Sequence, residues 1–261
     1  MIIQRPETDV LMSGLKRSSA LVDKPDLLQR PRRFYKVAMA GPADGGFAVL
    51  LDGRTPKSPA KSPLVLPTLP LAELVAAEWE AQVKVIDSTA MPATRLAFTA
   101  IDRIRETRVE VAAEVAAYAG SDLLCYWADH PTPLVELQKR DWGALLDWAR
   151  AELDVHLRPA SGVIHTPQSP AALATVEALA LTLDDFTLAG VAYGAGLFGS
   201  TVLALALRAG KVTGRKALDL SRLEEIFQAQ TWGQDAEALA RAEALGVEAQ
   251  VLERWFAALR R

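Results

Sequence analysis

One cysteine and three histidines are all that this chain of 261 residues offers as thiolate or imidazole metal ligands. Cys125 has no second thiol to pair with, which excludes an internal disulfide and suits a reducing compartment. His130, His156 and His165 are scattered, without the close spacing that zinc sites need, and each reads as a surface or loop residue. Long basic runs are also missing. A net charge of −3 argues against nucleic acid or a membrane surface as the main partner. The familiar catalytic signatures are absent: no G-x-S-x-G elbow, no Walker A loop and no H-E-x-x-H. Glu224 and Glu225 are adjacent, so a helix would point them about 100° apart, too far to share a proton as a dyad. Cys125 sits among apolar neighbours in "SDLLCYW", where a buried, inert thiol is expected. The sequence therefore implies neither catalysis, metal nor cofactor.

What is present describes a globular protein. Half of the residues are hydrophobic and 23% are charged, enough apolar material for one large or two modest cores. Residues 1–30 contain Glu7, Asp9, Asp23 and Asp26 but no long apolar run, which fits a flexible leader rather than a secretory or organellar signal. The expected location is the cytoplasm. From Arg33 to about Pro67 the pattern is strand-like: "RFYKVAM", then "GPADGG", then "FAVLLDGRTPKSP", with Asp52-Gly53 as a hairpin signal. Six prolines between Pro31 and Pro67 keep such strands short or at sheet edges. "PLAELVAAEWEAQ" then takes up helical spacing, with Pro70 tolerated in a first turn. After Met91-Pro92 almost everything is helical. "ATRLAFTAIDRIRETRVEVAAEVAAYAG", "PLVELQKRDWGALLDWARAEL" and "SPAALATVEALALTL" all place apolar residues at i, i+3 and i+4. The expected fold class is α+β: a small N-terminal α+β domain with short antiparallel strands, residues 31–94, followed by a larger all-α domain, residues 95–261.

Two stretches of the helical half could mislead. Phe186 to Leu207 runs for 22 residues without a charge, long enough to span a bilayer. It also holds four glycines, and a pair of buried helices broken near Gly199-Ser200, with Ser200 as N-cap, explains it better. "GAGLFG", Gly194 to Gly199, matches the dinucleotide fingerprint letter for letter. That fingerprint needs a strand before it, a helix after it and a second strand ending in an acid. Asp219, 20 residues after Gly199, lies instead in the helical "RKALDLSRLEEIF". Close helix packing through small residues is the preferred reading; a nucleotide-binding enzyme or sensor using Gly194–Gly199 is the alternative.

"LSRLEEIFQAQTWG", residues 220–233, scans as one helix with Leu220, Leu223, Ile226 and Phe227 on an apolar face. Ser221, Glu225, Gln228 and Trp232 fall opposite, at i, i+4, i+7 and i+11. Arg222 stands three residues before Glu225 and can pair with it. Position alone leaves two readings open. The stripe is either the solvated skin of a core helix or a surface that holds a partner, with Trp232 as its desolvated anchor. Glu78, Trp79 and Asp102 are expected to tie the two domains together.

Several stretches, in order, resemble one family. "RRFYKV", "LDGRTPKSP", "LAELVAAEWEAQ", "IDSTAMPATRLAFTAIDRI" and "GSTVLALALRAGKVTGRKALDLSRLEEIFQAQTWGQDAE" are similar to the ATP synthase α-subunit assembly chaperones, over about residues 32–240. Two departures stand out: "TPKSP" at the hairpin where Lys-Thr-Pro is usual, and Ile226-Phe227 where members often carry an acid and an aromatic. The resemblance implies a two-domain fold and a job without catalysis. It implies that the chain holds the unassembled α subunit of the catalytic sector until the β subunit replaces it, and that it is monomeric when free. By the same resemblance, Arg222, Glu224, Glu225, Gln228 and Trp232 are the expected partner-binding residues. A helical adaptor for another partner is the third reading.

Overall fold

The computed structural model describes residues 30–162, 166–233 and 236–260; the N-terminal leader and His165 lie outside the described residues. Strands β1 (Ala38–Ala43), β2 (Gly46–Leu51) and β3 (Val65–Leu66) form an antiparallel sheet in sequence order. Asp44 and Gly45 make the two-residue turn between β1 and β2, with Gly45 at φ 82°. Asp52-Gly53 reverses the chain a second time, both residues in the left-handed region, and closes the Leu51–Arg54 bridge. The first strand begins later than "RFYKVAM" predicts. The Asp52 carboxylate accepts the N–H groups of Lys36 and Val37, which ties that stretch into a loop and holds the acid below the usual carboxylate range. On the outer edge of β1 the Ala38 N–H goes to Glu80 at 2.6 Å. Pro42, four residues on and facing the same edge, has no N–H to offer.

Helix α1 (Leu69–Glu80) covers this sheet with Leu71, Ala72, Val75 and Trp79. Thr68 caps its start and donates its hydroxyl to the Ala258 carbonyl near the far end of the chain. Arg33 fastens the end of α1: its guanidinium reaches the Glu80 and Gln82 carbonyls and lies 4.6 Å over the Tyr35 ring. Helix α2 (Pro92–Thr99) has no cap of its own. Glu78 supplies one from α1, accepting the Ala93 and Thr94 N–H groups at 2.7 Å each. Asp102 accepts Ser58 Oγ and the Ala60 N–H. Asp102 therefore links the range 95–261 to the head, whereas the Glu78 bonds reach only residues 93 and 94 and stay within 31–94. The segment predicted as one helix from residue 93 to 120 is three pieces: α2, a π turn at Ala100–Ile104, and α3 (Arg108–Gly120).

The remaining helices are α4 (Thr132–Leu153), α5 (Pro170–Leu181), α6 (Asp185–Phe198), α7 (Thr201–Arg208), α8 (Gly214–Ser221), α9 (Leu223–Trp232) and α10 (Ala236–Leu259). A two-residue parallel pair, β4 (Tyr126–Trp127) with β5 (Ala160–Ser161), links the loops around α4. Helix α6 is the axis of the body. Gly199 ends it in the left-handed conformation and Ser200 caps α7, which splits the uncharged run into two buried helices. Among the described residues no helix is long and apolar enough to cross a membrane. Gly194 lies inside α6, where a Cβ would come within 3.0 Å of Ala204 and Leu252; the glycine motif is a helix contact and not a phosphate loop. One continuous hydrophobic core runs from Tyr35 to Phe256.

Residue 94, the expected domain boundary, falls inside α2. We propose residues 95–261 as a unit that still forms helix by itself but is weakened without the Asp102 and Thr68 contacts to the head. A fragment from Arg95 to Arg261 should keep strong helical dichroism with a lower thermal midpoint than the whole chain; loss of the helical signal would show one indivisible core.

Asp122 is fully buried and accepts the Leu124 and Val202 N–H groups at 3.0 Å each. Desolvation outweighs these bonds and pushes its carboxyl up to about 6. An acid whose folded value exceeds its unfolded value costs stability above the folded value, and the cost fades as pH falls toward the unfolded one. Between pH 6 and pH 4, therefore, the parent chain should gain stability relative to Asp122→Asn. Denaturant midpoints of the two measured across this window check it, and parallel curves would refute the assignment.

Candidate functional site

The stretch 220–233 is not one helix. Helix α8 ends at Ser221, Arg222 takes φ −116° and ψ 21°, and α9 starts afresh at Leu223. The cause is tertiary. The Trp142 indole donates to the Leu220 carbonyl at 3.0 Å, and Ser221 Oγ turns back to the Leu218 carbonyl. Leu220 and Leu223 are buried on either side of the break. Ser221 consequently leaves the predicted stripe, whereas Glu225 and Gln228 remain exposed on α9. Trp232 ends α9; its side chain lies outside the described residues. Ile226 and Phe227 are only half-buried.

Arg222 and Glu225 form the expected pair, with Nε and Nη2 at 2.8 and 2.7 Å from one carboxylate oxygen. Glu224 behaves differently. Its Oε1 accepts the amide of Gln138 at 2.7 Å, and Gln138, fully buried in α4, uses its other end to accept the Ala128 N–H. One arm of Glu224 thus pins α9 to the body, and Glu224 and Glu225 diverge as adjacent helical residues must.

The structure adds residues that the sequence reading passed over. Helices α8, α9 and α10 enclose an open groove of about 540 Å³. Arg222, Glu225 and Gln228 line it from α9 and the turn before it. Leu218 and Asp219 come from α8, and Ala238, Leu239, Ala242 and Glu243 from α10. Leu239 is 43% exposed, and its spacing from Ala238 and Ala242 was the available signal for an outward apolar face on α10. Gly214 lets α8 come this close to α10: a Cβ there would lie 2.2 Å from the Ala249 carbonyl oxygen. A smaller cavity of about 150 Å³ lies between α9, α8 and α4, and Ile226 lines both. Helix α9 therefore stands as a thin wall between two hollows, anchored by Leu223, Glu224 and the Arg222 turn.

The architecture has solved counterparts. The chain is 42% identical to Atp12 of Paracoccus denitrificans, with a TM-score of 0.80 over 88% of this chain and 99% of that one. A point mutant of the same protein gives an equivalent match. The Atu1473 protein of Agrobacterium tumefaciens is 35% identical with a TM-score of 0.82, covering 96% of this chain and 95% of that one. These likenesses place the chain among chaperones that pair a small sheet with a helical body. Its residues 32–150 match the family model described as ATP12 chaperone protein. Mitochondrial protein atp12 of Schizosaccharomyces pombe is 25% identical over 218 residues, 77% of this chain and 74% of that protein. The chain belongs to the ATP12 chaperone family.

The two adjacent acids give a test of the geometry. Glu224→Ala strands a buried Gln138 donor and should cost about 1–3 kcal/mol. Glu225→Ala loses only an exposed pair and should cost about 0.2–1 kcal/mol. Urea unfolding of both variants checks the order; equal losses would mean that the Gln138 bond contributes nothing.

Proposed function

We infer that the protein is an assembly chaperone for F-type ATP synthase that binds the unassembled α subunit of the catalytic sector, without catalysis or a cofactor of its own. The observation that carries this reading is family membership over nearly the whole chain, joined to a groove that gathers Arg222, Glu225 and Gln228. The ordered motifs from "RRFYKV" to "QTWG" imply the α subunit as client. The physical need is plain. A subunit destined for an alternating ring carries large apolar interfaces that self-associate when it is alone. Its holder must cover them and still yield to the β subunit, which favours a moderate interface of roughly 800 Å² per partner with a few anchors.

In this reading Glu225 faces a basic patch of the client, Arg222 fixes its rotamer, and Gln228 and Trp232 complete the contact. Glu224, half-buried, supports α9 through Gln138 and stands beside this contact. The chaperone is monomeric when free. It works in the bacterial cytoplasm, or in the mitochondrial matrix of a eukaryote.

Glu225→Lys sets a like charge against the client, and breaking such a contact typically costs about 2–5 kcal/mol, about thirtyfold or more in affinity. The fold should lose no more than the exposed Arg222 pair, about 0.2–1 kcal/mol. The paired measurement is the thermal midpoint and the protection of isolated α subunit on dilution from denaturant. Lost protection with a nearly unchanged midpoint supports the surface. Full protection by Glu225→Lys would remove Glu225 from the contact, and failure of the parent chain to protect α would overturn the function.

A further inference from the structure

We propose that the groove between α8, α9 and α10 receives an amphipathic helix of the client, with apolar side chains on the floor and a lysine or arginine directed at Glu243. The proposal rests on the chaperone reading above and specifies what its surface recognises.

The backbone around the groove decides the form of the occupant. All three walls are helices, whose N–H and C=O groups are mostly spent on their own i to i+4 bonds, the first-turn N–H groups of α10 excepted. Among the described residues no strand edge faces the groove, so an extended segment would find no ladder to join. Laid on Leu218, Ile226, Ala238 and Leu239, it would bury its own backbone polar groups without partners. A helix brings those groups already satisfied and presents side chains at i, i+3, i+4 and i+7, the mode in which helices enter apolar grooves. The floor is built for close approach: Ala229, Ala238 and Ala242 project only methyl groups between Ile226 and Leu239.

Charge selects among helices. Three carboxylates, Asp219, Glu225 and Glu243, line the groove against two guanidiniums, Arg215 and Arg222. Both guanidiniums are engaged, Arg215 by Asp219 at 2.9 Å and Arg222 by Glu225. Further along α10, Arg241 is taken by Glu237. Among the described residues Glu243 has no ion-pair partner, so the rim carries one uncompensated negative charge beside an apolar floor. A helix with a single cation at the edge of its apolar face complements both.

The test uses the complex of the full chain with α subunit, formed by co-expression, and variants at two exposed positions. Ala238→Trp fills the groove and should weaken α binding by about thirtyfold or more with an unchanged thermal midpoint. Glu243→Lys should weaken it by about tenfold, and the loss should shrink as salt rises. Hydrogen exchange on α should show chaperone-dependent protection of a helix bearing apolar residues at i, i+3 or i+4 and i+7 with a flanking Lys or Arg. Parent-like binding by both variants, or protection confined to strands or loops of α, would overturn the proposal while leaving the chaperone function in place. No binding by the parent chain would overturn both.

Discussion

The approach of α6 to α7 and α10 at Gly190 and Gly194 is the constraint from which the helical body follows. At either position a Cβ would meet Phe256, Trp255, Ala204 or Leu252 at 2.8 to 3.1 Å, so the contact exists only because side chains are missing there. Seated this way, α10 runs from the groove at one end to the Thr68 hydroxyl at the other. Arg95 and Tyr193 both bond Glu248 midway along it. One helix thereby carries the candidate docking surface and the junction with the head. The groove is consequently carried by the same helix that is packed into the core at Leu252, Trp255 and Phe256.

Against that packing α9 is the exception. Its neighbours on both sides are hollows, and most of its residues stay half-exposed. If the proposed docking holds, a surface that binds and is later displaced would be well served by such a shallow wall, since local opening free energies are lowest where few apolar contacts exist. The ion pair of Arg222 with Glu225 adds geometry rather than stability, as exposed pairs do.

Much of the fold was legible where a local rule is strong. Asp52-Gly53 marks a turn, Ser200 a helix start and Gly199 a helix end, because each acts within four residues of chain. What escaped depends on partners far away in sequence. The break at Arg222 is set by Trp142, 78 residues before Leu220, and the inward bond of Glu224 by Gln138, 86 residues away. No periodicity contains either contact. The α10 side of the groove was missed for a different reason. Alanines carry little signal in a sequence, and only their juxtaposition with Leu218 and Ile226 makes them a floor. Glu225 and Gln228, in contrast, were found together because helical spacing puts them on one side of α9, and Arg222 because it stands three residues before Glu225.

The rim of the head sheet carries a consequence for company of this kind. Unfinished subunits bring strand-forming segments that look for an open ladder, and an unguarded edge becomes their template. On β1 the Glu80 carboxylate occupies the Ala38 donor, and proline removes the one at position 42, leaving Ala40 isolated between them. A stray strand finds no two successive donors on which to begin. Along β1, therefore, a strand-forming segment of a sticky neighbour has no row of donors with which to extend the sheet.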